Sequence, residues 1–175
     1  ERNTVDVAAA VQAIAAQDPQ AVVLISTYKP TAAFVRAFKQ TGKAAQLFTL
    51  SVVGFKALSA ELGDDATGIA ISQVVPFPWS ATKPLVREFQ KLPPNLMPAS
   101  GATFTSLEGY MAAKVMVEAL RRAGSHVTRE KLVAALESMG EFDLGGLTVR
   151  YGPGNHIGSQ YSELTIVGRD GKLFR

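Results

Sequence analysis

The sequence predicts an α/β fold: βα units on a mostly parallel sheet, ending in an antiparallel hairpin. Three observations carry this. Helix-period segments alternate with short apolar runs across residues 5–75. That order implies right-handed crossovers between parallel strands. After residue 147 the pattern changes to apolar–polar alternation, with an Asp170-Gly171 pair typical of tight hairpins.

The elements follow in order. Val7, Val11, Ile14 and Ala15 form one helical stripe over Val5 to Gln17, with Thr4 as N-cap and Asp6 in the first turn. Asp18-Pro19 ends it. Ala21 to Ile25 is a continuous apolar run and predicts a strand buried on both faces. Thr31 to Thr41 is a helix with Phe34, Ala37 and Phe38 on one face, closed by Gly42. Leu47 to Leu50 is a strand, Phe55 to Leu62 a helix closed by Gly63, and Ile69 to Val75 a third strand. The first helix has no strand before it, so the chain is expected to begin in the middle of an architecture, with upstream sequence missing.

Val75-Pro76-Phe77-Pro78-Trp79 breaks this rhythm and predicts a stiff, extended crossover. A helix follows over Lys83 to Leu92, then a polar loop to Gly101. The longest helix is predicted from Thr105 to Ala123, capped by Thr105 or Ser106, with Tyr110, Ala113, Val117 and Leu120 among its apolar positions. Thr128 to Met139 is a further helix burying Leu132, Val133, Leu136 and Met139. Glu141 and Asp143 fall in a loop. Leu147 to Tyr151 and Ser162 to Val167 are strands, separated by a Gly152-Pro153-Gly154-Asn155 turn.

Composition narrows the function. The 175 residues are 47% hydrophobic and 19% charged, enough apolar matter for a core. No apolar run approaches the roughly 20 residues that cross a bilayer. Without cysteine there is no disulfide, thiolate nucleophile or Cys-ligated zinc. The net charge is +3, but the basic residues are dispersed beside acids or at helix ends, which argues against nucleic acid as a partner. The start shows no signal-peptide pattern, so localisation is not readable from a targeting segment.

No catalytic constellation emerges. His126 follows a helix end and His156 sits in a Gly-rich turn, neither at metal-ligand spacing. Gly152 to Gly158 lies between strands, where a dinucleotide loop would need a strand and then a helix. There is no Gly-x-Ser-x-Gly elbow and no Walker lysine. Catalytic residues, metal and cofactor are therefore all read as none, and the chain is read as a non-enzyme.

What remains lies at strand ends, where open α/β sheets bind ligands. Ser26-Thr27-Tyr28 follows the first strand, Ser51-Val52-Val53-Gly54 the second, and Gln73 to Trp79 the third. These loops offer hydroxyls, an aromatic ring and backbone N–H groups: a binding cleft with few polar anchors.

Ala21 to Tyr28, Phe34 to Gly42, Gly68 to Pro76, Gly109 to Lys114 and Phe142 to Gly146, in this order and spacing, resemble the C-terminal half of leucine/isoleucine/valine-type solute-binding proteins. That family has the type I periplasmic-binding-protein fold. The resemblance implies that residues 1–78 belong to lobe two, 79–160 to lobe one, and 161–175 to a return segment toward lobe two. It implies ligand contacts at Ser26, Thr27, Tyr28, Ser51, Val52, Val53 and Gly54. The implied function is capture of a small amino-acid-like or organic-acid solute for an ABC importer, with a membrane permease as partner and a periplasmic or extracytoplasmic location. A ligand-sensing receptor domain of the same fold is the alternative. Where amino-acid binders of the family often carry a carboxylate for the ligand ammonium, this chain has Ser51, Val52 and Val53. A buried ammonium without a counter-charge is costly, which favours a less polar or aromatic carboxylate as solute. A half-fold is also expected to leave sheet and helix faces bare and to self-associate.

Overall fold

A computed structural model describes residues 4–99, 101–169 and 171–175. Two units are present: the described residues up to Gln73 together with Glu163–Arg175, and Val74–Ser162.

In the first unit α1 (Ala8–Ala15), β1 (Ala21–Leu24), α2 (Tyr28–Gln40), β2 (Gln46–Leu50), α3 (Phe55–Leu62) and β3 (Ala70–Gln73) alternate as expected. Strands β1, β2 and β3 are parallel neighbours. The chain returns as β6 (Glu163–Val167), antiparallel to β3, and closes with β7 (Leu173–Phe174), antiparallel to β6. The sheet order is β1-β2-β3-β6-β7. Asp170 of the anticipated Asp-Gly pair lies outside the described residues. The hairpin itself is closed by Gly168 N–H to the Lys172 carbonyl at 2.7 Å.

Two successive crossovers in one direction, β1-α2-β2 and β2-α3-β3, place their helices on one face of the sheet. Phe34, Val35 and Phe38 of α2 and Leu58 and Leu62 of α3 bury against Val22, Leu24, Leu47, Ile71 and Val167. The other face stays open: β1 alternates, with Val23 63% and Ile25 79% exposed. The expected double burial of this strand is therefore corrected. Its apolar run is continuous, but within this chain helices cover only one side. At the first helix, Val7 rather than Thr4 takes the N-cap position, and its carbonyl accepts from Val11 N–H at 2.9 Å.

The second unit holds α4 (Pro84–Gln90), α5 (Phe104–Ala123), α6 (Arg129–Glu137) and the hairpin β4 (Gly140–Asp143) with β5 (Thr148–Tyr151). Glu141 and Asp143, expected in a loop, are strand residues. Gly140-Glu141-Phe142-Asp143 has too little apolar alternation to announce a strand, and its pairing with β5 makes it one. The Pro-rich segment turns instead of extending. Pro78 sits at the second position of a turn closed by Ser80 N–H to the Phe77 carbonyl at 3.2 Å. Phe77, Trp79 and Phe104 then meet edge to face, with centroids 5.1 to 5.9 Å apart.

Helix α5 starts one residue early because Thr103, not Thr105 or Ser106, caps it. Thr103 Oγ1 accepts from Ser106 N–H at 3.0 Å, and Ser106 Oγ accepts from Thr103 N–H at 2.8 Å. Its buried stripe is Phe104, Leu107, Met111, Val115 and Ala119. Val117 and Leu120, expected inside, are exposed because the helix is apolar on two sides and only one is packed. In α6 Thr128 is the cap, Met139 is buried, and Val133 faces out.

The β4–β5 turn is fastened to α4. Asp143 Oδ1 accepts from Gly145 N–H at 2.9 Å and Gly146 N–H at 2.7 Å. Leu85 N–H donates to the Gly145 carbonyl at 2.9 Å. Gly145 has φ +112°, and a Cβ there would lie 2.8 Å from the Leu85 nitrogen. Only glycine fits this approach.

Candidate functional site

Strands β1 and β2 run parallel with Leu24 opposite Thr49. The segments after them therefore leave the sheet at the same carboxyl edge. Thr49 Oγ1 donates to the Leu24 carbonyl at 3.1 Å and ties the two strands together just below it. Strand β3 ends at that edge too, and β6, running the other way, begins there: Gln73 stands opposite Glu163.

Ser26 and Thr27 form the short link from β1 into α2. Thr27 takes the N-cap position with extended backbone, and its carbonyl accepts from Thr31 N–H at 3.1 Å. Its hydroxyl makes no capping bond, so the N–H groups of the first turn point outward without a side-chain partner. Tyr28 belongs to the helix rather than to a loop. Pro30 is tolerated within the first turn, where its missing N–H costs nothing. The Tyr28 ring is half-buried and rests against the apolar core.

The second segment is a single 3-10 turn, Ser51–Val53, closed by Gly54 N–H to the Ser51 carbonyl at 3.0 Å. Gly54, at φ +73°, reverses the chain into α3. Ser51 is half-buried and Val52 is exposed, while Val53 is buried and belongs to the core. The Val53 side chain is thus structural, and what this residue offers the edge is backbone.

The two links that follow β1 and β2 are polar without being charged. From Ile25 to Thr27 and from Ser51 to Gly54 no side chain ionises. Two hydroxyl-bearing links and a helix N-terminus, with its partial positive charge, favour carboxylate oxygens over an ammonium.

The chain matches the periplasmic binding protein family over residues 1–172. It belongs to that family. It resembles a substrate-binding periplasmic protein from Ralstonia solanacearum, at 37% identity and a TM-score of 0.84, over 99% of this chain and 50% of that one. A possible leucine/isoleucine/valine-binding protein from Rhodopirellula baltica SH 1 is similar at 32% identity and a TM-score of 0.85, over 100% of this chain and 48% of that one. An extracellular ligand-binding receptor from Verminephrobacter eiseniae is similar at 31% identity and a TM-score of 0.83, over 97% and 48%. No curated protein matches. The chain spans about half the length of these relatives. As a periplasmic binding protein it groups with proteins that bind solutes rather than transform them. No helix among the described residues is long and apolar enough to cross a membrane.

Of two further edge residues of this family member, Gln73 was expected there only as the start of the segment after the third strand, and Glu163 was not expected there at all. Gln73 is fully buried and donates through Nε2 to Thr165 Oγ1 at 3.0 Å. Glu163 brings a carboxylate to the edge, with Arg175 Nη1 3.6 Å away. Residues more than 90 positions apart meet here through strand pairing, and no local pattern announces that.

The second unit has a concavity of its own, about 350 Å³, lined by Glu108, Met111 and Val115 of α5 and by Tyr151, Ser159 and Tyr161. Its polar equipment is one carboxylate, two phenols and a hydroxyl. Nearby, Glu88 lies 2.5 Å from Lys114 Nζ, whose hydrogen bond holds the Glu88 carboxyl below the usual range. Burial, and then Glu88, push the Tyr110 phenol up. His156 Nε2 is 3.0 Å from Glu137 Oε1, an exposed surface pair. Among the described residues no cluster of His, Cys, Asp or Glu could hold a metal ion.

Proposed function

We propose that this chain supplies part of an extracytoplasmic solute-binding protein that captures a small carboxylate for an ABC importer. The observation that carries this reading is the shared carboxyl edge of β1 and β2, with the uncapped N-terminus of α2 beside hydroxyl-bearing links. In this reading the two units belong to the two lobes of a solute trap. Ser26, Thr27 and the first-turn N–H groups of α2 receive the carboxylate. Tyr28, Ser51, Val52 and the backbone of Val53 and Gly54 line the remainder. The chain passes between units at residues 73/74 and 162/163, and the flanking Gln73 and Glu163 pair across the sheet. The loaded protein would present a surface to a membrane permease.

The absence of an acid in Ile25–Thr27 and Ser51–Gly54 favours an aliphatic or aromatic carboxylate over a zwitterionic amino acid. The likeness to an extracellular ligand-binding receptor supports a second reading, a sensor domain using the same edge.

Amide chemical shifts of the labelled chain, titrated with aromatic carboxylates and with branched-chain amino acids, test the site. Shifts confined to residues 26–28 and 51–54, larger for the carboxylates and reduced in Tyr28→Ala, are expected. Shifts gathered around Glu108 and Tyr161 instead would move the site to the cavity of the second unit.

A further inference from the structure

We propose that Thr49 and Thr165 are positioning residues for the carboxyl edge of the sheet, holding the strand ends beneath the candidate site at one level. What the edge binds rests on the solute-capture reading; the levelling itself does not.

The register sets four residues side by side. Leu24 of β1 stands opposite Thr49 of β2, Thr49 opposite Ile71 of β3, and Ile71 opposite Thr165 of β6. All four are buried, on the side that the helices cover. Aliphatic and hydroxyl side chains alternate along this row, and each threonine reaches back to the carbonyl of the aliphatic residue beside it. Thr49 Oγ1 donates to the Leu24 carbonyl at 3.1 Å, and Thr165 Oγ1 donates to the Ile71 carbonyl at 3.2 Å. One clamp spans a parallel pair and the other an antiparallel pair, so neither is a by-product of one ladder type. Thr165 Oγ1 also accepts from Gln73 Nε2 at 3.0 Å. The row lies just short of the edge. Two positions on come Ser26, Ser51 and Gln73, and two positions back along the reversed strand comes Glu163.

Burial alone would not select hydroxyls here. Threonine is mostly an exposed residue, and valine has the same branch at Cβ with no polar atom to satisfy. A hydroxyl in an apolar layer costs free energy unless it is bonded, and once bonded its net contribution is modest. What it adds is location. Apolar contact is non-directional, whereas a hydrogen bond weakens steeply out of line. Among the described residues four polar side chains are buried, and three of them, Thr49, Gln73 and Thr165, belong to this network. The polar groups inside the first unit are thus gathered directly beneath the edge. The spacing of the Ser26 and Ser51 links depends on the level at which β1 and β2 are clamped.

Amide hydrogen exchange of the labelled 175-residue chain, without ligand, tests this. Two native bonds report on the edge: Gly54 N–H to the Ser51 carbonyl and Thr31 N–H to the Thr27 carbonyl. Gln46 N–H, bonded to the Gln20 carbonyl at 2.9 Å at the far end of the same strand pair, is the control. Thr49→Val should speed exchange at Gly54 and Thr31 about fivefold relative to Gln46, the worth of one hydrogen bond. Thr49→Ser, smaller but still a donor, should keep the native ratio. Thr165→Val should act likewise at Gln73 and Glu163, with Val167 N–H, bonded to the Ile69 carbonyl at 3.0 Å, as control. Packing alone predicts the reverse order, with valine near native and serine loosened at both ends. An unchanged ratio in Thr49→Val, or equal loosening of the edge in Thr49→Ser, overturns the inference. A failed carboxylate titration with these exchange ratios intact would instead remove the binding site and leave the clamps.

Discussion

The two units are held together by different means. In the first, three helices press an apolar layer onto one sheet face, and the buried hydroxyls of Thr49 and Thr165 are satisfied by strand carbonyls. The second has an apolar core too, with Leu85, Phe89, Leu107 and Leu144 buried, and adds directional contacts to it: the Asp143 turn on α4, the Thr103 capping box, and the Glu88–Lys114 pair. A layered core spreads its stabilisation over many side chains. A turn with two left-handed glycines concentrates it at a point. The first unit should therefore answer chiefly to lost volume, and the second also to backbone strain and to pH.

The largest expected effect is Phe38→Ala. Phe38 is fully buried and stacked 5.6 Å from Phe34, and such a truncation costs about 3–5 kcal/mol. Hydrogen exchange should quicken in β1 to β3 while emission from Trp79, the single tryptophan, stays native-like. Simultaneous loss of both signals would show one shared transition and dissolve the contrast.

Next comes Gly145→Ala. The positive φ and the approach to the Leu85 nitrogen together should cost about 1–3 kcal/mol, read as an earlier Trp79 melting midpoint. Gly154→Ala, which meets nothing within 4 Å, serves as the control. Equal midpoints for the two would mean that the turn does not hold the hairpin.

The smallest effect is acid sensitivity. Hydrogen bonds from Gly145 and then Gly146 keep the Asp143 carboxyl below its ordinary value, and Lys114 does the same for Glu88. A carboxyl depressed in the folded state adds stability above its unfolded value and loses it as pH falls. Acid below about pH 4 should thus loosen the second unit before the first. Asp143→Asn should flatten part of that response in Trp79 emission. An unaltered profile would remove Asp143 from the account.

Much of the fold was legible because local signals were strong. Gly54 and Gly63 bracket α3, and the predicted Phe55 to Leu62 matches its observed limits. The strand cores of β1, β2 and β3 were visible as apolar runs. What escaped was whatever depends on distant partners. The apolarity of β1 says that the strand can be covered twice, not that it is. The two apolar sides of α5 make its inward face ambiguous until Met111 and Val115 pack. At the candidate edge, Ser26, Thr27 and the Ser51 to Gly54 turn were readable from strand ends, although Tyr28, expected in a loop, opens the first turn of α2. Gln73 and Glu163 were not readable as a pair, since only β6 pairing brings them together.

That pairing has a thermodynamic consequence. Gln73 and Glu163 are ladder neighbours, yet the whole of Val74–Ser162 lies between them in sequence. If that excursion were a random coil, closing it to form the β3–β6 ladder would cost about 4 kcal/mol of chain entropy. Folded, it brings its two ends together in advance. The second unit thus acts as an entropic staple for the first, lending stability to a sheet through the order of residues that are not part of it.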